Sequence, residues 1–165
     1  MEEKKQTKER RGRRGGKRDS RPKSEFEQKI IGIRRVTRVM AGGRRFSFSV
    51  CMVAGDKKGR VGVGLGKASD TALAIEKAFR KAKQTMIKIP LTENKSIPHE
   101  VKAKFCSSEI LMMPAPGRGL KAGGAVRSVL ELGGVSDVSA KILSRSKNHI
   151  NNARAALRAL GNFKN

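Results

Sequence analysis

Arg60 to Ala68 reads R-V-G-V-G-L-G-K-A, and its Gly66-Lys67 pair invites comparison with a nucleotide-binding loop. A phosphate loop needs G-x-x-x-x-G-K-[ST], in which glycine backbone amides cradle phosphates and a hydroxyl holds magnesium. Here the first glycine position is Val61, and Ala68 follows Lys67 with no hydroxyl. The dinucleotide pattern fails as well, because its third glycine position falls on Lys67. What remains is glycine at 62, 64 and 66, which leaves one face of a strand without side chains. Such a face admits close approach by another backbone, whether a packed helix or RNA.

Ala115 to Arg127 reads A-P-G-R-G-L-K-A-G-G-A-V-R, a glycine loop running into a helix start at Gly123-Gly124. Free amides and the helix dipole favour an anion at such a place. Arg118, Lys121 and Arg127 flank it, so an RNA phosphate is the expected occupant; the alternative is glycine serving turn geometry alone. Arg34, Arg35, Arg38, Arg44 and Arg45 bracket a Gly42-Gly43 turn. Guanidinium groups suit phosphate oxygens, and so many like charges repel unless something neutralises them. Lys57, Lys58 and Arg60 form a basic hairpin loop. Lys77, Arg80 and Lys81 lie on a helical stretch that follows Lys67. Ser146, Asn148, Asn151 and Arg154 recur near a last helix start, where Asn148 is a plausible cap.

Catalytic and metal chemistry find little. Cys51, Cys106, His99 and His149 are isolated, whereas a zinc site gathers about four ligands. Two buried, reduced thiols are expected, with no disulfide. Glu100, Glu109, Glu131 and Asp137 are scattered beside Lys or Arg and read as surface ion-pair partners. No catalytic residue, metal or cofactor is expected.

The elements that must position these groups follow from periodicity. The chain has 165 residues, a net charge of +24 and 37% hydrophobic residues. That size allows one domain or two small ones, and that charge calls for a polyanion. Net charge is +7 over 1–23, +10 over 24–90 and +7 over 91–165, so the folded parts carry it too. Residues 1–23 lack large apolar groups and read as a disordered basic arm able to thread into RNA. Ser24-Glu25-Phe26-Glu27 has capping-box spacing and predicts a short helix to Ile30. An irregular strand follows to Val39. Phe46, Phe48, Val50 and Met52 alternate with Ser47, Ser49 and Cys51, a half-buried strand. Val61, Val63 and Leu65 mark a third strand. Ser69 or Asp70 then caps a helix to Lys88, with Ala72, Ile75, Phe79, Ala82 and Met86 as its seam.

Pro90 to Pro98 reads as a hinge, making 91–98 a linker between domains at 24–90 and 99–165. Beyond it, strands are predicted at 100–105, 109–113 and 137–143. Helices are predicted at 124–132, ended by Gly133-Gly134, and at 148–160, with Ile150, Ala153, Leu157 and Leu160 buried. No run of about 18 apolar residues exists to cross a membrane. The N-terminus has no apolar signal segment, and Glu2, Glu3 and Glu9 argue against a transit peptide.

Taken together, these motifs resemble bacterial small-subunit ribosomal protein five. The resemblance rests on Arg35-Val36-Thr37-Arg38, Gly42 to Phe48, Gly55-Asp56, Gly59 to Gly64 and Gly66-Lys67-Ala68. It continues through Pro114 to Gly117, Gly119, Ala122-Gly123-Gly124, Arg127, Val129-Leu130-Glu131 and Gly133, then Ser146, Asn148, Asn151 and Arg154. It covers about residues 28–160 in order. The family implies an α+β fold. Its first half is similar to an αβββα double-stranded-RNA-binding domain, and its second is an α/β sandwich with a left-handed βαβ crossover, against the usual hand. It further implies a cytoplasmic, non-enzymatic part of the small subunit that binds its ribosomal RNA and supports assembly. It would meet small-subunit protein four at an interface influencing decoding accuracy, and contact protein eight. With proteins three and four it would line the messenger RNA entry channel. The stretch matching Thr37 to Arg44 is where family members change when they resist spectinomycin.

The chain departs from the family pattern in places. Met40-Ala41 precede the glycines where a lysine is usual at the second position, and Arg118 adds a cation. Arg145 and His149 replace a glycine and a proline. The arm is longer and more basic than in many members, and the end at Asn165 leads to an expectation of less contact with protein eight. A free-standing double-stranded-RNA-binding module and an RNA-dependent nucleotide hydrolase are the competing readings.

Overall fold

The first fourteen described residues overturn one expectation. No helix forms at 25–30. In a computed structural model that describes residues 25–163, strand β1 (Glu27–Met40) begins at once and pairs antiparallel with β2 (Gly43–Gly55). A stretch of seven residues is too short to hold a helix by itself. Ile30, Ile31 and Ile33 favour the sheet, and Glu27 to Ile30 find ladder partners in Met52 to Gly55. The register shifts between Ile30 and Gly32. This bulge at Ile31 is the irregularity visible in the sequence.

β2 pairs on its other side with β3 (Arg60–Ala68), and β3 with the two-residue β4 (Ile87–Lys88). Between them runs α1 (Thr71–Gln84), capped by Asp70, whose carboxylate accepts from the Ala72 amide at 3.1 Å. A Cβ on Gly62, Gly64 or Gly66 would overlap the carbonyl of Ala82, Ala78 or Ala74. The bare strand face is therefore filled by a helix, not left for RNA. It also shifts the seam: Ala74, Ala78 and Ala82 are fully buried, Ile75 and Phe79 flank them, and Ala72 is exposed. Only the smallest side chains fit over glycine. The helix stops four residues early. The Thr85 hydroxyl donates to the Val63 carbonyl at 3.0 Å, and Ile87-Lys88 pair with Val61 and Arg60. Pro90 disfavours helical backbone at Ile89.

β2 is not half-buried but buried on both faces from Val50 to Gly55. Val50 and Met52 face α1, while Cys51 and Val53 join Val61 and Val63 in a core shared with the second half. That half contains β5 (Val101–Phe105), β6 (Ser108–Pro114), α2 (Gly124–Gly133), β7 (Val138–Ile142) and α3 (His149–Gly161). Its sheet runs β5-β6-β7, antiparallel throughout. Lys121 adds a single parallel bridge to Ser139: its amide donates to the Val138 carbonyl at 3.0 Å, and the Ala140 amide donates back at 2.7 Å. With α2 between, this is a βαβ unit whose first strand is one residue deep. Gly134, at φ 80°, ends α2. The Asn148 side chain caps α3 by accepting from the Ile150 amide at 3.2 Å.

The expected hinge is a pinned turn. Thr92 bonds Ser96 through amide and hydroxyl, the Ser96 hydroxyl donates to the Asp137 carbonyl at 2.6 Å, and Ile89 and Ile97 are buried in the shared core. Cys51, Val53, Val61, Val63 and Ile89 from the first half all enter that core, and burial is worth about 1.5–3 kcal/mol per large side chain. The expected arm at 1–23 lies outside the described residues.

Candidate nucleic-acid interface

β3 reaches only to Ala68, opposite Phe48, whereas β1 and β2 stay paired out to Met40 and Gly43. Residues 36–47 therefore form a two-stranded ribbon that projects past the sheet. Its tip turns through Gly42 at φ 86° and Gly43 at φ 134°, a conformation that favours glycine. Alternation along the strands puts Arg34, Arg38 and Arg45 on one face and Arg35 and Arg44 on the other. Arg38 stands directly opposite Arg45, an arrangement that costs stability. No carboxylate occurs between residues 28 and 55 to relieve it. The Arg35 guanidinium lies 4.6 Å over the Phe46 ring. Val39 is 75% exposed, with Met40 and Phe46 also open.

At the ribbon's base, Arg34 lines a cleft with Ser49, Cys51, His149 and Ile150 at the start of α3. Burial pushes the Cys51 thiol up, against the pull of the Arg154 and Arg34 cations. Cys106, expected buried, is exposed in the β5–β6 turn at φ 51°. Around the α3 start, the Asn148 amide donates to the Ser146 hydroxyl at 3.4 Å, and Arg154 lies 5.7 Å over Phe105. Asn151 is half-buried beside Asn152. Asn152 escaped the sequence reading: it is buried, and its amide donates to the Ser146 carbonyl at 3.2 Å.

The second basic turn behaves differently. Asp56 accepts from the Lys58 amide at 2.8 Å, the Arg60 amide at 2.9 Å and Arg60 Nε at 2.7 Å. Burial opposes its ionisation, but the Arg60 side chain and these amides outweigh burial and hold the carboxyl below its usual range. The Lys57 and Gly59 amides donate to the Leu132 and Gly133 carbonyls at the end of α2. Lys57 Nζ pairs with Glu27 at 2.7 Å, and Arg60 lies 5.3 Å over Phe26. Lys57 and Arg60 are thus engaged within the chain, and Lys58 is left exposed. The signal for this was an acid followed by cations two and four positions on.

The three cations of the glycine loop are not gathered on one cavity. Arg127 Nε bonds Glu131 at 2.8 Å, which also takes Lys29 Nζ at 3.0 Å. Those two cations, Arg127 first, hold the Glu131 carboxyl low. Arg127 lines a cavity between the halves with Lys29, Lys57, Lys95 and Gly119. Arg118 and Lys121 are not among its walls. Gly123, the side-chain-free cap of α2, is close to the Ile142 side chain, so a Cβ there would crowd it; Gly124 faces open space. Lys67, Lys77, Arg80 and Lys81 do come together, in a groove beside Leu65, Gly66 and Gln84.

Among the described residues no three metal-ligating side chains cluster, and no helix is long and apolar enough to cross a membrane. Family models for ribosomal protein S5, N-terminal domain, and ribosomal protein S5, C-terminal domain, match residues 26–90 and 103–165. Small ribosomal subunit protein uS5 of Thermus thermophilus is 48% identical over 140 residues, 84% of this chain and 85% of that protein. The uS5 of Synechococcus elongatus is 46% identical over 142 residues, 86% of this chain and 78% of the relative. That of Mycoplasmopsis agalactiae is 48% identical over 139 residues, 83% of this chain but only 59% of the relative's length. With both domain models matched in order on one continuous body, the chain belongs to the ribosomal protein S5 family.

Proposed function

We propose that this chain is a structural, non-catalytic protein of the cytoplasmic small ribosomal subunit that binds small-subunit ribosomal RNA. One observation carries the RNA reading: the ribbon at 36–47 sets Arg38 against Arg45, flanked by Arg35 and Arg44, with no carboxylate in the hairpin. An RNA backbone neutralises that repulsion, and counterion release strengthens the contact. Family membership supports the subunit assignment. On the same reading the protein supports subunit assembly, meets small-subunit proteins three, four and eight, influences decoding accuracy beside protein four, and lines the messenger RNA entry channel. The basic segment 1–23 adds a further RNA contact to the body at 24–165.

Gradient sedimentation tests this. A tagged chain travels with small subunits; one that stays at the top of the gradient is a free RNA-binding module instead. Joint Arg44→Glu and Arg45→Glu substitution weakens RNA association and delays assembly, and unchanged incorporation removes the ribbon from the interface.

A further inference from the structure

The cations of α1 divide into two sets. Lys83 lies 4.5 Å over Phe79 and 5.2 Å over Phe26, spent on its own protein. Lys77, Arg80 and Lys81 are exposed, and with Lys67 they line one groove that has no carboxylate in its walls. None of the four forms an ion pair among the described residues. Lys77 and Lys81 lie about one helical turn apart with Arg80 beside them, so the charge runs roughly 6 Å along the helix, and Lys67 extends it onto β3. That is a track for an extended polyanion, not a socket for a lone ion.

The groove's other wall is a sheet edge. The Val63 carbonyl points outward, because it accepts from the Thr85 hydroxyl at 3.0 Å. Backbone groups two residues apart along a strand point the same way, so those of Leu65 and Lys67 face the groove. β4 covers the edge only at Arg60 and Val61. The uncovered amides can donate to phosphate oxygens, and the carbonyls can accept from ribose hydroxyls, which DNA lacks.

We infer that the α1–β3 groove is a second, sequence-independent site for an RNA backbone, separate from the arginine ribbon, so that one copy of the protein holds two RNA segments. This rests on the RNA-binding reading above. The test measures full-chain binding to a synthetic RNA duplex and to an unstructured single strand across a salt series. Its proteins are wild type, Lys77→Gln/Arg80→Gln/Lys81→Gln, Arg44→Glu/Arg45→Glu, and the combination.

Each lost phosphate contact lowers the slope of log affinity against log salt by roughly 0.7–0.9. The groove variant is therefore expected to lose about 2 to 3 units of slope with its thermal melt unchanged, and to add its loss to that of the ribbon variant. A loss confined to the duplex assigns the groove to folded ribosomal RNA; one confined to the single strand assigns it to message. Equal slopes for wild type and groove variant on both RNAs overturn the groove while leaving the ribbon reading intact. A groove variant that melts early is replaced by Lys67→Gln, to which the same slope criterion applies at about one unit. Wild-type protein that binds neither RNA defeats the functional reading itself.

Discussion

The chain contains two basic, glycine-containing hairpin turns, and they have opposite fates. The turn at 40–45 projects past the sheet, and its arginines form no ion pair among the described residues, while the turn at 55–60 is folded onto α2. One residue separates them. Asp56 gathers the Lys58 and Arg60 amides and the Arg60 guanidinium, and this shapes the turn so that Lys57 and Gly59 reach the carbonyls of Leu132 and Gly133. The 40–45 turn has no such acid. Local charge density therefore does not identify a ligand-binding cation; the absence of an internal acceptor does.

The largest test of this contrast lies outside either turn. Gly134 sits at φ 80°, and a Cβ there would overlap the Lys57 carbonyl. Gly134→Ala should therefore strain the C-cap of α2 and push the 55–60 turn off it, costing about 3 kcal/mol in urea unfolding. A midpoint equal to wild type would show that the docking contributes nothing.

Asp56→Ala should cost about 2 kcal/mol at neutral pH, from lost charge-assisted hydrogen bonds, while RNA binding by the ribbon stays unchanged. Its pH dependence has a defined sign. The folded pKa of Asp56 is depressed, so its contribution is fully present above an unfolded value of about 3.9 and is lost as pH falls through the folded one. Wild type and variant should differ at neutral pH and converge in acid. A constant gap across that range would contradict the ionic role.

The smallest effect belongs to the ribbon. Arg45→Gln removes the like charge opposite Arg38 and should raise stability by about 0.3–0.5 kcal/mol at low salt, a gain that high salt erases. Lower stability at low salt would mean that the ribbon already contains its counter-charge.

Local features were legible because their causes are local. Asp70 and Asn148 cap helices that the sequence places there, and Gly134 ends α2 after the predicted run. The alternation at Phe46 to Met52 and at Val61 to Leu65 gives strands. Errors arose where a distant element intervened. The capping box at Ser24 lost to strand pairing with Met52 to Gly55. The α1 seam moved to Ala74, Ala78 and Ala82 because glycines on another element chose the smallest side chains. The polar run at 91–98 looked like a hinge, since nothing near it shows that Ser96 reaches Asp137 across 41 positions.

By itself, the sequence determined the periods, the caps, the total charge and its spread along the chain, and motifs distinctive enough to resemble one family. Only the tertiary structure decided which cations are free. Lys29 meets Glu131 across 102 positions and Lys57 meets Glu27 across 30, while Lys67 meets no carboxylate among the described residues. Ion pairing acts over a few ångströms of space, and separation along the chain does not report that distance until the two halves close on their shared core.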